Sequence, residues 1–234
     1  YQGLSWQKDG SWGDYNVTTL TGYNGAKNLR NAIIHSDNIY FAQATLQVGK
    51  NNFINGLKKL KFGESIDFIL SASKSQYSNT DDIAQETLLA DSGYGQGQIL
   101  VNPIHMASIY SAFVNDGNMI KPYLEKTENK QVEYLVENAF SAESANAIKE
   151  DMIQVIEHPE GTAKAMKIEG RTIAGKTGTA ELKFEKEEVA ETLAWFNCVT
   201  TDVNNNQLLV IGMAEDARSV GGSQYIIRKI KTIF

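Results

Sequence analysis

The stretch "TLAWFNCVT", Thr192 to Thr200, constrains the fold of this chain more than any other. In an extended conformation Leu193 and Trp195 point to one side, while Ala194, Phe196 and Cys198 point to the other. Both sides are apolar, so such a strand has to be covered from above and from below. Thr172 to Ala180 and Gln207 to Ala214 also read as strands, and Asn204-Asn205-Asn206 marks a turn between the last two. Short connections of this kind give an antiparallel meander, and helices from elsewhere in the chain must sandwich it.

The helices are legible upstream. Residues 1 to 26, rich in Gly, Ser, Asn and aromatics, read as a lead-in loop. From Lys27 the spacing turns helical, with Leu29, Ile33 and Ile34 on one face. A second helix, Ile39 to Val48, closes at Gly49, and His35-Ser36-Asp37-Asn38 between the two combines a helix end with N-capping chemistry. Phe53 to Leu60 predicts a short helix, and the Ser-rich residues 63 to 82 a long loop. Asn102 and Pro103 form a cap and first turn for a helix running through Val114 to the Asn115-Asp116-Gly117 turn. Residues 141 to 157 form another, with Ala145, Ile148, Met152 and Val155 on one side. Gly221-Gly222-Ser223 opens a last helix striped by Ile226, Ile227 and Ile230. The economical assignment is one α/β domain of the α+β type: residues 27–157 mainly helical, residues 170–234 antiparallel strands and a final helix.

Charge and composition remove several function classes. A net charge of −6 with no basic block disfavours nucleic acid or an anionic membrane as the main partner. Cys198 is the single cysteine, which rules out an internal disulfide. His35, His105 and His158 lack metal-ligand spacing and read as surface or packing residues, so no metal and no cofactor is implied. No apolar run approaches the roughly 18 residues of a membrane helix. The chain opens on Tyr1 in mid-phrase and reads as a piece of something longer, soluble in itself.

Gly170 to Thr177, "GRTIAGKT", matches the phosphate-loop pattern G-x-x-x-x-G-K-[ST] letter for letter. That loop needs a buried strand before it and a helix starting at its lysine. Polar "GTAKAMKIEG" precedes Gly170 here, and Thr-Gly-Thr-Ala follows Lys176, although "ELKFEKEEVAETL" has helical composition further on. The context argues against a nucleotide site, which stays as a competing reading. Read as a strand, "TIAGKTGTAEL" sets Lys176, Gly178 and Ala180 on one face and Gly175, Thr177 and Thr179 on the other. Gly178 then leaves space where a backbone or ligand would approach, and the open edge suits a peptide ending in a carboxylate.

Serine enzymes that react with penicillin carry S-x-x-K, S-D-N and K-T-G in that order. Ser36-Asp37-Asn38 and Lys176-Thr177-Gly178 occur in this order, one on a helix junction and one on a covered sheet. Together with "GLSWQKDGSWGDYNVT", "HSDNIYFAQ", "LLADSGYGQGQILVNPIHMASIYSAF" and "IAGKTGTAEL", they make the chain resemble class B penicillin-binding proteins. Within that family it looks most like the low-affinity subgroup that confers β-lactam resistance on Gram-positive bacteria.

The resemblance implies that residues 1–234 are the C-terminal portion of a D,D-transpeptidase domain of a cell-wall enzyme, active outside the cell and membrane-anchored by an upstream segment. It implies peptidoglycan stem peptides ending in D-Ala-D-Ala as substrate and β-lactam antibiotics as ligands. By the same resemblance Ser36 relays protons and Asn38 orients the substrate amide. Lys176 supplies positive potential, Thr177, Gly178 and Thr179 line the substrate strand, and the Thr179 N–H forms half of the oxyanion hole. Asp37 is expected to hold its loop.

The first motif is missing as a helix opening, since in residues 1 to 35 only Ser5-Trp6-Gln7-Lys8 fits the letters of S-x-x-K, and it lies in the lead-in loop with no apolar helix behind it. Ser71-Ala72-Ser73-Lys74 fits the letters but follows S-D-N and lacks the apolar periodicity of a buried helix. The expectation is therefore that the nucleophile lies upstream and that this stretch alone is inactive, with one sheet edge and part of its groove uncovered. Ser92 to Gly97, "SGYGQG", reads either as a tight turn or, by resemblance, as support beneath the groove; "GTAKAM" at 161 to 166 reads as a structural loop beside the Lys176 strand. A β-lactam sensor of the same fold stays open as an alternative. All of these expectations require S-D-N and K-T-G to face one cleft.

Overall fold

The computed structural model describes residues 1–125, 131–182, 191–202 and 207–234. Two compact units divide it, Tyr1–His105 and Met106–Phe234.

The first unit begins with a small hairpin, β1 (Ser5–Trp6) and β2 (Val17–Thr18), paired antiparallel. The lead-in is thus more than a loop. Trp12 and Val17 are buried with Ile39, Ala42 and Ala90, and Trp6 meets Trp12 edge to face with ring centroids 5.4 Å apart. Aromatic residues drive this clustering because each one buries a large apolar area. Four helices follow: α1 (Leu29–His35), α2 (Asn38–Val48), α3 (Lys50–Lys59) and α4 (Glu86–Ser92). Ile33 and Ile34 are buried as expected, but Leu29 lies in the first turn of α1 and is exposed.

Helix α4 approaches α2 closely at Gly93, where an added Cβ would lie 2.3 Å from Thr45 Oγ1 and 2.7 Å from the Phe41 carbonyl oxygen. The loop after α3 is irregular yet anchored: Ser75, Tyr77 and Ser78 are buried. Buried His105 sits between Ser75 Oγ, 2.8 Å from its Nδ1, and the Leu60 carbonyl, 2.7 Å from its Nε2. It is a packing residue, held neutral because burial lowers its pKa.

The second unit takes in most of α5 (Pro103–Ser111), whose first turn is capped by Asn102 Oδ1 accepting from the Ile104 N–H at 2.8 Å. A 3-10 turn, Ala112–Val114, replaces the last stretch of the expected helix. Gly117 then turns the chain at φ +85°, with the Phe140 carbonyl oxygen 2.2 Å from where a Cβ would stand. The short pair β3 (Met119–Ile120) and β4 (Tyr134–Val136) leads to α6 (Ala142–Glu157), capped by Ser141.

Strands β5 (Ile173–Leu182), β6 (Glu191–Thr200) and β7 (Leu209–Ala214) form an antiparallel sheet in that order, and α7 (Ser223–Lys231) closes the chain. The expected Asn204–Asn206 turn lies outside the described residues.

Strand β6 is hydrogen-bonded along both edges and covered on both faces. On one face Gly212 of β7 pairs with Phe196, and the Gly212 position lies against Ile226 and Ile230 of α7. On the other, the Asn197 side chain hydrogen-bonds buried Tyr110 of α5. Helix α6 packs along β5 and against the 3-10 turn after α5. Ala194, Phe196 and Cys198 are fully buried, and burial pushes the Cys198 thiol up to about 12.

Ile226, Ile227 and Ile230 are the buried stripe of α7, as the sequence predicts. Replacing fully buried Ile227 with Ala removes apolar volume from this face. The expected loss is about 2–4 kcal/mol in urea denaturation, with an unchanged m-value.

Candidate functional site

The first group of candidate residues sits at the α1–α2 junction. The chain leaves α1 at Ser36, a left-handed C-cap with φ 56° and ψ 55°. That conformation is uncommon for a residue with a Cβ and is tolerated where neighbours enforce it. Here they do. Asp37 is buried, and its Oδ1 accepts from the Ile39 and Tyr40 N–H groups at 3.1 and 3.2 Å, capping α2. Its Oδ2 accepts from the Tyr23 hydroxyl at 2.9 Å. Burial raises the Asp37 pKa, opposed by its two backbone N–H partners.

Tyr23 in turn stacks on His35 at 4.2 Å between ring centroids, with the Lys27 ammonium 3.3 Å from the Tyr23 ring centre. No periodicity marks Tyr23, because it lies in the lead-in and reaches the junction by its side chain alone. Asn38 Nδ2 donates to the Thr18 carbonyl at 2.9 Å, so the β1–β2 hairpin orients the amide. A primary amide still has a second N–H and a carbonyl oxygen to offer a ligand.

The second group lies on β5, at the edge of its sheet. Lys176 is in mid-strand, paired with Asn197 of β6, and no helix starts at it. The nucleotide reading is therefore overturned: a phosphate loop needs a helix start at this lysine. Residues 183–190, which hold most of the helical-looking stretch beyond, are outside the description. Lys176 Nζ donates to the Thr177 carbonyl at 2.9 Å, and burial depresses its pKa to about 8. Asn197 Oδ1, buried across from it, has no hydrogen-bond partner among the described residues.

Thr177 is buried and pairs with Phe196, while Thr179, two residues on and facing the same way, is exposed. The empty side of Gly178 meets Trp195, whose Cβ would lie 3.2 Å from an added Cβ. A cross-strand tryptophan, rather than a backbone, explains this glycine among the described residues.

Thr177 Oγ1 donates to Thr162 Oγ1 at 2.9 Å. Thr162 thus joins the candidate residues, although the sequence marks "GTAKAM" only as a loop beside the strand. Neither letter match to S-x-x-K opens a helix: Ser5–Trp6 is strand β1, and Ser71 to Lys74 lie in irregular chain. Just before the "SGYGQG" segment, Asp91 accepts from both the Tyr15 and Tyr94 hydroxyls, and burial raises the pKa of both tyrosines. The segment is a turn after α4, with φ +83° at Gly95 and +71° at Gly97.

A capped S-D-N junction in one unit and a K-T-G edge strand on a helix-covered antiparallel sheet in the other define a transpeptidase-type domain. The chain belongs to the penicillin-binding protein transpeptidase domain family, whose model matches residues 1–231. It is 40% identical over 234 residues to penicillin-binding protein 3 of Bacillus subtilis strain 168; the match covers all of this chain and 35% of the relative's length.

Among solved structures, the chain resembles the transpeptidase domain of penicillin-binding protein 3 from Burkholderia pseudomallei. The TM-score is 0.80 at 18% identity, over 98% of this chain and 69% of that one. It also resembles the D,D-transpeptidase domain of a peptidoglycan glycosyltransferase from Eggerthella lenta, with a TM-score of 0.75 at 23% identity over 94% and 57% of the two chains. These two likenesses establish the fold, mixed α+β with an antiparallel sheet covered by helices. Among the described residues, no helix is long and apolar enough to cross a membrane.

Substitutions at two positions test the electrostatics. Asp37→Ala is expected to destabilise by about 1–2 kcal/mol through loss of the cap, whereas Asp37→Asn, which still caps, costs a few tenths in the same thermal melts. Lys176→Met is expected to be more stable than the parent at pH 7, by about 1–3 kcal/mol, because it removes a charge that burial penalises. The folded-state pKa lies below the unfolded one, so between about 8 and 10.5 the unfolded chain holds more protons. The parent therefore gains stability as pH rises through that window, and the gap to Lys176→Met closes.

Proposed function

We propose that residues 1–234 are the C-terminal portion of the catalytic domain of a class B D,D-transpeptidase that cross-links peptidoglycan, in its low-affinity, β-lactam-resistant subgroup. The observation that carries this reading is the mid-strand K-T-G of β5, on a sheet edge among the described residues, preceded in the chain by S-D-N at a capped helix junction. Membership of the family supports the activity, and the quoted sequence segments support the subgroup.

In the proposed mechanism a serine outside these residues attacks the penultimate D-Ala carbonyl of a stem peptide and expels the terminal D-Ala. The acyl group then passes to the amine of a neighbouring stem, or stays on the serine when the attacked carbonyl belongs to a β-lactam. Ser36 relays the proton released by the nucleophile, and its constrained backbone suits a hydroxyl held at a fixed place. Asn38 pairs with the substrate amide.

Lys176, lightly solvated and with a lowered pKa, provides positive potential where the anionic intermediate forms. Thr177 and Thr179 bind the terminal carboxylate along β5, with Gly178 between them on the substrate strand, and the Thr179 N–H supplies half of the oxyanion hole. An upstream segment anchors the parent protein in the cell membrane, with this domain on the extracellular face.

Labelling with a fluorescent penicillin tests the proposal. The full-length parent should form a covalent adduct, and residues 1–234 alone should form none. Asn38→Ala and Lys176→Ala in the parent should each slow acylation by about 10²–10³-fold. A stable adduct on residues 1–234 would place the nucleophile inside them and refute that part. Unchanged labelling of both variants would remove S-D-N and K-T-G from the mechanism.

A further inference from the structure

The loop between α6 and β5 is held in place more firmly than a simple connection needs. Gly161 lies where an added Cβ would stand 2.2 Å from the Val155 carbonyl oxygen, so the loop rests directly on the last turn of α6. The Ala163 N–H donates to that same carbonyl at 3.0 Å, and Ala163 is fully buried. From the other side, Gln224 Nε2 of α7 donates to the Thr162 carbonyl at 2.9 Å. Lys231 Nζ donates to the Ala165 and Lys167 carbonyls at 2.8 Å each. Two helices thus fix the main chain around Thr162, whose hydroxyl stands 2.9 Å from that of Thr177.

A hydroxyl has one proton and two lone pairs, so only one proton lies between two bonded hydroxyls. At 2.9 Å either hydroxyl can supply it, Thr177 to Thr162 or the reverse. With its proton turned toward Thr162, Thr177 presents lone pairs to an approaching carboxylate, which repels them. If Thr162 rotates its own proton inward instead, Thr177 remains hydrogen-bonded and its proton is released to the anion.

We propose that Thr162 is a positioning residue for this exchange. It donates to Thr177 Oγ1 when a carboxylate-bearing ligand arrives, so that Thr177 can donate to the carboxylate without leaving a buried lone pair unmet. No bond to carbon forms or breaks in the step; two hydroxyl protons rotate, and each oxygen keeps its own. The inference rests on the proposed binding of a ligand carboxylate at Thr177 and deepens it. The role is strongest for anions, because a charged acceptor gains about twice as much from the donated proton as a neutral one such as an ester.

The test compares benzylpenicillin with its methyl ester, which lacks the anion, in acylation of the full-length parent. Thr162→Val keeps the shape and removes the hydroxyl; it should slow acylation by the acid about tenfold and by the ester little. Thr162→Ser should restore the rate with the acid. Should the Val variant fail to fold, as a melting curve would show, Thr162→Ala carries the same comparison.

An unchanged rate with the acid would overturn the inference, as would equal slowing of acid and ester, which marks a purely structural loop. Either result leaves the transpeptidase reading standing. Absence of acylation in the unsubstituted parent would instead remove that reading and this inference together.

Discussion

The register of β5 on β6 is the constraint from which the K-T-G half of the site follows. Pairing Lys176 with Asn197 and Thr177 with Phe196 decides which face each side chain takes. A slip of one residue would exchange the two faces. Two glycines oppose such a slip. The Gly175 position has Cys198 Cβ at 3.0 Å and Phe196 Cε2 at 3.1 Å, and the Gly178 position has Trp195 Cβ at 3.2 Å. Side chains of β6 therefore fill the space that both glycines of "GKTG" leave. The chemistry of the strand is a by-product of how its neighbour packs.

The S-D-N junction solves a different problem with similar means. Two helices meeting at a sharp turn leave backbone N–H groups without partners, and burial makes each one costly. Asp37 satisfies two of them and then needs a partner for its second oxygen, which Tyr23 supplies. The motif's central residue is thus occupied with architecture, and the proposed ligand roles fall to Ser36 and Asn38 on either side of it.

Much of this was readable from the chain itself. The stripe of Ile226, Ile227 and Ile230, the cap at Asp37 and the two-sided strand at Thr192–Thr200 are local patterns, and the structure places all three as the patterns require. Tyr23, Thr162 and the β1–β2 hairpin were not readable. Each acts through a contact with residues far along the chain, and the residues themselves carry no period or cap. Leu29 shows the reverse error: its spacing is right for a buried face, but the first turn of α1 leaves it in solvent. The letters "GRTIAGKT" misled because a loop pattern says nothing of the element that follows. Pairing with β6 made Lys176 a strand residue instead of a helix start.

The thiol of Cys198 sits in the middle of the doubly covered strand, with its proton held by burial. The thiolate is the form that attacks an alkylating reagent and displaces its leaving group, so in the native state this sulfur is doubly shielded, by packing and by protonation. It becomes reactive only when the sheet parts from its helices. The rate at which it is modified is then a direct readout of how often the centre of the second unit opens. The chain thus carries its own tracer for the breathing of the sheet that bears Lys176 and Thr177, with no label to be engineered.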